Sequence, residues 1–433
     1  MNTMNTMNTM NTMNTINNNY ILLHYNNIDT APPDIHLEIY RGELYCNLLK
    51  VFTRSCTSNL NSKVLSHKKT INRTITNLLS SWFFTLYQYY DFTKDAFFPS
   101  NYNYMETLIK TLEDYCSLDS NHDINQNTKQ KIQNIINDLT NEYTLLLQKL
   151  NNYIQPNYNI IVKKSTIIQK RDNKDINFIK LHLDTNSVTN NNKLNNIISN
   201  IIIPISEYNM LKNRYKQSDS INESMDYLIW IILYRYQLLS SNNNQLAVLE
   251  NILVRMKNDF NLTIESFASG INSTLSNYCS LYYDIERYFG SIGSYFNMVP
   301  VRGTYSFNPP YQYDIIKNGI DRMIYHLNNS TDKLCFIITI PIWDIEGKKY
   351  MADNNMMNNN DTIQYKDFTT MTTIKNSIHF RGLRMISKDH FTYFDHNFHL
   401  FKNKTIQNTY VIVMSNYENN YIDMINTYDF FTY

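Results

Sequence analysis

Two hydrophobic rhythms divide the chain. From about residue 30 to 225 apolar positions recur at three- and four-residue spacing, most clearly in "TINRTITNLLSSWFFTLYQYY" (70–90) and "QKIQNIINDLTNEYTLLLQKLNNYI" (130–154). That spacing predicts amphipathic helices. Gly42 is the only glycine between residues 1 and 269, which suits helices joined by polar loops better than a hairpin-rich sheet. After about residue 245 the texture changes. Short apolar runs predict strands in "NLTIESFA" (261–268), "TYSF" (304–307), "KLCFIITIPIW" (333–343) and "NTYVIVMSN" (408–416), with a short helix in "INSTLSNYCS" (271–280). Strands alternating with helices predict a doubly wound α/β sheet, whose ligands collect at the carboxyl ends of its strands. The pattern therefore reads as a leader over 1–30, a mainly helical domain over 31–225 and an α/β domain over 226–433.

The leader opens with five copies of Met-Asn-Thr. It has neither a basic start nor an apolar stretch of signal-peptide type, and polar repeats of this kind are expected to be disordered. The most apolar runs, "LIWIIL" (228–233) and "IISNIIIPI" (197–205), are too short to cross a bilayer, and Arg235 follows the first closely. The chain reads as soluble.

Charge and cysteine content narrow the picture further. The formal net charge is +1, so any nucleic-acid contact must use local patches. The expected patch is "VKKSTIIQKRDNK" (162–174), with Lys163, Lys164, Lys170 and Arg171 placed to meet phosphates. A merely solvated face, with Asp172 and Asp175 nearby, is the alternative. Five scattered cysteines without a CxxC pair argue against a disulfide framework and a structural zinc site. They fit a reduced, intracellular and cytoplasmic setting. The richness in Asn, Ile, Lys and Tyr matches A/T-rich codons, as in a large DNA virus or a protist.

One motif carries chemistry. Four of the eight glycines, Gly270, Gly290, Gly293 and Gly303, fall just before Asn308-Pro309-Pro310-Tyr311. Two prolines remove two amide donors and fix two φ angles, so a strand stops there. Asn before Pro-Pro is also ordinary turn material. At the end of a strand, however, the four residues suit a planar exocyclic amine such as that of adenine. The Asn308 side-chain carbonyl and the rigidly held Pro309 backbone carbonyl can accept both N–H groups, directing the nitrogen lone pair at an incoming methyl. Tyr311 offers a ring face on which a base stacks. No metal is needed for this chemistry.

"NLTIESFASGIN" (261–272), "YCSLYYDIERYFGSIGSYF" (278–296) and "GTYSFNPPY" (303–311) together resemble the phosphorylated-CTD-interacting-factor family of cap-specific adenosine-N6-methyltransferases. That family carries E-x-F-A-S-P-L-N, Y-C-S, Y-F-G-S-x-G and N-P-P-F in the same order. The likeness runs over roughly residues 200–416. It implies a Rossmann-like class I methyltransferase domain joined to a helical domain, S-adenosylmethionine as cofactor, and the 5′ end of capped mRNA as substrate. By the same resemblance Asn308, Pro309, Pro310 and Tyr311 are the catalytic motif. Phe267, Ala268, Ser269 and Asn272 line the cofactor, as do Tyr288, Phe289, Gly290 and Asn308. Asp284 is the candidate acid for the cofactor's ribose or amino group, and Glu286 the substitute. Gly270-Ile271 stands where the family has Pro-Leu, and Tyr311 where it has Phe. No segment resembles the family's WW domain, which puts recruitment through polymerase tails in doubt.

Other constellations are weaker. His390, His396 and His399 cluster in sequence, but at no trusted zinc spacing. Trp82, Trp230 and Trp343 are placed either in the core or, by stacking, on a methylated cap. Three functions stay open: cap-proximal adenosine methylation, DNA or internal-RNA adenine methylation, and a non-catalytic RNA-binding scaffold.

Overall fold

The computed structural model describes residues 14–16, 19–23, 33–60, 71–87, 95–99, 105–117, 125–171, 174–185, 200–215, 224–239, 245–342, 369–396, 402–406 and 408–428. The chain forms two compact units: Pro32–Leu246 with Asp395–Lys402, and Met1–Ala31 with Ala247–Phe394 and Asn403–Tyr433. The break lies some twenty residues beyond the expected position at 225. Within the leader, Asn14–Ile16 (β1) and Tyr20–Leu23 (β2) form an antiparallel hairpin, and they count with the second unit.

The first unit contains helices α1 (Ile35–Asn59), α2 (Ile71–Leu86), α3 (Glu106–Ser117) and α4 (Gln126–Asn151). Side chains cap two of them: Asp34 accepts from the His36 amide at α1, and Asn125 from the Thr128 amide at α4. A three-stranded antiparallel sheet follows, ordered β3 (Ile160–Arg171), β4 (Lys174–Thr185), β5 (Asn200–Pro204). Then come α5 (Ile205–Arg214) and α6 (Met225–Leu238). The sheet corrects the helical reading of this stretch. Ile179, Leu181 and Leu183 are buried at alternate positions, a period of two that the scarcity of glycine obscured.

Helix α6 carries the "LIWIIL" run and explains where the break falls. Glu38 on α1 accepts from Arg235 on α6 at 2.6 and 2.9 Å, and Arg41 bridges Glu38 to Asp95. Burial alone would raise the Glu38 carboxyl, but the Arg235 and Arg41 charges hold it below the usual range. A buried ion cluster of this kind ties α6 to α1, because separating its members would strand charges away from water. No helix among the described residues is long and apolar enough to cross a membrane.

The second unit starts with α7 (Glu250–Phe260) and continues with β6 (Leu262–Glu265), the single turn α8 (Tyr283–Glu286), β7 (Met298–Pro300) and β8 (Gly303–Phe307). It is completed by α9 (Tyr313–Asn329), β9 (Leu334–Pro341), α10 (Thr369–Asn376), β10 (Phe380–Ile386), β11 (Thr409–Ser415) and α11 (Tyr421–Thr427). Its main sheet runs β10-β11-β9-β8-β6. Strands β6, β8 and β9 are parallel, while β11 runs against both β9 and β10. Single parallel bridges, Glu265 to Tyr278 and Tyr278 to Ser291, extend it past β6. Every residue of β9 and of β11 is buried, as expected for central strands covered on both faces. The hairpin β1–β2 pairs with β7, so this part of the leader adds a strand to a small sheet instead of remaining disordered.

Candidate active site

Strand β8 ends at Phe307 and α9 begins at Tyr313, so Asn308 to Gln312 form the connection at the carboxyl end of a central parallel strand. The Gln312 amide donates to the Pro310 carbonyl at 2.7 Å. That tight turn brings Tyr311 back over the strand end, and its hydroxyl donates to Asn308 Oδ1 at 3.0 Å. Pro309 is buried, while Asn308, Pro310 and Tyr311 are half-buried. Tyr311 also meets the buried ring of Tyr393 edge-on, with centroids 5.8 Å apart. Helix α9 lies close to the strand because Gly319 has no side chain: a Cβ there would sit 2.7 Å from the Phe307 ring.

The neighbouring strand β6 supplies the second half of the site. The Ser266 amide donates to the Ser306 carbonyl at 2.8 Å, so the loop after β6 starts beside the end of β8. Two buried carboxylates hold this loop. Glu265 Oε1 accepts from the Thr274 and Leu275 amides at 2.6 and 2.5 Å, and Glu286 Oε2 accepts from the Gly270 amide at 2.5 Å. Asn272 Oδ1 accepts from the Ser269 amide at 2.7 Å. The loop is thus folded before any ligand arrives, which limits the ordering cost of binding.

The expected cofactor-lining residues separate into roles. The half-buried ring of Phe267 packs against the core among Tyr295, Phe296 and Phe307, with its nearest centroid distance 4.9 Å. Phe289 is fully buried. Tyr288 is buried, with Arg287 over its ring and bonded to its hydroxyl. Gly290 is required by the chain itself: its φ is +104° and a Cβ would lie 2.4 Å from the Ser276 carbonyl oxygen. Between the two candidate acids, Glu286 is fully buried and committed to backbone amides, whereas Asp284 is half-buried at the start of α8. Ala268 is half-buried and Ser269 buried on the loop.

Ser266 escaped the sequence reading. Its hydroxyl is buried, with no hydrogen-bond partner among the described residues, directly beyond a parallel strand and beside β8. A polar ligand at that strand end would satisfy it. Asp284 stands two residues before Glu286, whose carboxylate holds Gly270 of the same loop, so α8 also brings a half-buried carboxylate to this loop, a group suited to the hydroxyls or ammonium of S-adenosylmethionine. The only hint of Ser266 in the sequence is its place between Glu265 and Phe267.

The basic residues do not form one patch. Lys163, Lys164, Lys170 and Arg171 lie on β3 in the first unit, and strict pairing with β4 puts Lys163 on one face and Lys164 and Lys170 on the other. Lys163 pairs with Asp184, and Lys164 with Asp226 at 3.3 Å and with the Tyr208 hydroxyl at 2.7 Å. The first pair is exposed, whereas Lys164 reaches a half-buried Asp226 and a buried tyrosine. Trp82 and Trp230 are core residues, the first edge-on to Phe83 and Tyr143 and the second stacked on Tyr234. Trp343 and His399 lie outside the described residues. Among the described residues no group of His, Cys, Asp and Glu is arranged to hold a metal.

A family model described as "Phosphorylated CTD interacting factor 1 WW domain" matches residues 208–371, a stretch that contains β6, β8, the Asn308–Tyr311 turn and β9. The mRNA (2'-O-methyladenosine-N(6)-)-methyltransferases of Mus musculus and Homo sapiens are each 30% identical to this chain over 121 residues. Residues 208–371 are therefore similar to the phosphorylated CTD interacting factor family. The aligned segment covers 27% of this chain but only 17% of each relative. Although the family model carries the term WW domain, the residues it matches include helices and the parallel strands that hold the candidate site.

Proposed function

We propose that this protein transfers a methyl group from S-adenosylmethionine to the exocyclic amine of the adenosine next to an mRNA cap. The observation that carries the proposal is the placement of Asn308-Pro309-Pro310-Tyr311 at the carboxyl end of β8, beside a preformed loop after the parallel neighbour β6. The activity printed for the two relatives supports the cap-adjacent adenosine as substrate. The strand order, with a reversed β11 between β9 and β10, supports a Rossmann-like methyltransferase domain. A capped transcript as substrate implies an intracellular site of action.

In this reading Ser266, the loop from Ala268 to Asn272, and Asp284 hold the cofactor. When bound, S-adenosylmethionine supplies an electrophilic methyl on a sulfonium. The chain's own residues prepare the acceptor. Asn308 Oδ1 and the Pro309 carbonyl accept hydrogen bonds from the two amine hydrogens and draw that nitrogen away from conjugation with the ring. Tyr311 stacks on the base once it has left its neighbours. The gain is positional and electrostatic, with no side-chain base.

The test is incubation with labelled S-adenosylmethionine and two matched short RNAs, one beginning with a methylguanosine cap followed by adenosine, the other uncapped. Label in the capped RNA alone is the expected result. Equal label in both would remove the cap from the proposal. Asn308→Ala is expected to abolish transfer while leaving the unfolding midpoint unchanged.

A further inference from the structure

We propose that the hydroxyl of Tyr311 is a positioning group that fixes which end of the Asn308 amide faces the acceptor amine. The inference rests on the function proposed above and concerns the same site. An asparagine amide has two ends of nearly equal size, and a half-turn of its last torsion exchanges a carbonyl oxygen for an NH2 group. Only the oxygen can accept from an amine; the NH2 would set donor against donor. The structure shows Tyr311 Oη donating to Asn308 Oδ1 at 3.0 Å. A phenol, whose oxygen lone pair is shared with its ring, donates more readily than it accepts, so the bond favours the orientation with the oxygen held in the site. The amide oxygen carries two lone pairs. A bond from Tyr311 therefore does not by itself exhaust the oxygen's capacity to accept from an amine hydrogen.

The donor is itself held in place. The Gln312-to-Pro310 backbone bond closes the turn that brings residue 311 back to residue 308. The Tyr311 ring meets Tyr393 edge-on at 71°, and Tyr393 is fully buried with its hydroxyl 3.0 Å from Thr409 Oγ1 on β11. The reversed strand thus reaches the acceptor side chain through two rings. A phenylalanine at position 311 would keep the stacking face and lose the orienting bond, so the two roles of Tyr311 are separable.

The experiment compares Tyr311→Phe with the unchanged protein in methyl transfer to the capped, adenosine-starting RNA, alongside S-adenosylmethionine affinity by calorimetry and thermal unfolding. The expected result is a kcat roughly 3- to 10-fold lower, the range one neutral hydrogen bond supports. KM for the RNA, cofactor affinity and unfolding midpoint should stay unchanged. An unaltered kcat would overturn the proposal. A raised kcat would overturn it too, since the bond would then be blocking the site instead of arranging it. Parallel losses in kcat, cofactor affinity and midpoint would assign the hydroxyl to packing alone. No transfer by the unchanged protein to any RNA would instead remove the proposed function, an outcome distinct from the others.

Discussion

Glu286→Gln probes the loop that the candidate site depends on. The substitution keeps the shape of a fully buried side chain and replaces its carboxylate with a neutral amide, which changes both its charge and its hydrogen-bonding capacity. Glu286 Oε2 accepts from the Gly270 amide at 2.5 Å, and Oε1 from the Tyr282 amide at 3.4 Å. Glutamine retains one oxygen, which goes to the shorter bond. A hydrogen bond to a charged acceptor contributes about 1.5–3 kcal/mol and a neutral one about 0.5–1.5, so the Gly270 bond weakens by about 1 kcal/mol. The new NH2 faces the Tyr282 N–H, and a buried donor without its acceptor costs about 1–3 kcal/mol, near the lower end here because that bond is already long. The sum is a loss of about 2–3 kcal/mol. Urea unfolding followed at equilibrium reads it as a lower midpoint at constant slope. S-adenosylmethionine affinity should fall with it, since Gly270 anchors the stretch from Ser269 to Asn272. A Glu286→Gln protein within about 0.5 kcal/mol of the unchanged one, the scatter of ordinary surface substitutions, would refute the view that this carboxylate holds the loop.

Ser266→Ala should leave stability unchanged or slightly raised, because a buried hydroxyl without a partner contributes nothing to the folded state; cofactor affinity measured by calorimetry should nevertheless drop several-fold. Gly319→Ala places a Cβ 2.7 Å from the Phe307 ring. Overpacking of about 1–3 kcal/mol then outweighs the roughly 1 kcal/mol that alanine adds to a helix, so a raised melting temperature would contradict the close approach of α9 to β8. Burial holds His326 down to about 4, so its ring stays neutral in the folded state while the unfolded chain takes up a proton near 6.5. Its contribution to stability is full above the unfolded value and is lost as pH falls from about 6.5 toward 4; His326→Gln should flatten that part of the stability profile. Glu38→Ala removes the buried carboxylate that Arg235 and Arg41 share, leaving Arg41 its bond to Asp95, and should cost about 3–5 kcal/mol in urea unfolding.

Much of the second unit was legible because its signals are local. "KLCFIITIPIW" and "NTYVIVMSN" are runs long and apolar enough to be only buried strands, and both are central in the sheet. Two prolines after a β-like run mark a strand end by covalent geometry alone. The hairpin of β3 and β4 was hidden because its alternation of Ile179, Leu181 and Leu183 is interrupted by charged neighbours and lies beside strong helical signals. The four basic residues looked like one cluster for the same reason: adjacency along a strand means opposite faces, and composition carries no face.

The sequence by itself determined which residue types carry the chemistry and where the backbone must stop for them. A proline's missing donor, a glycine's freedom at positive φ and the apolar content of a central strand are properties of single residues and their neighbours. Only the tertiary structure decided how those residues divide the work. It packed a half-buried Phe267 against the core and sent Phe289 into it, committed Glu286 to backbone amides while Asp284 stayed half-buried on α8, and showed Ser266 as a buried hydroxyl without a hydrogen-bond partner among the described residues. It also brought the Tyr311 hydroxyl onto Asn308. Each of those outcomes depends on a partner distant in the chain or on the direction of a side chain, and burial and hydrogen bonding are set by what surrounds an atom in space.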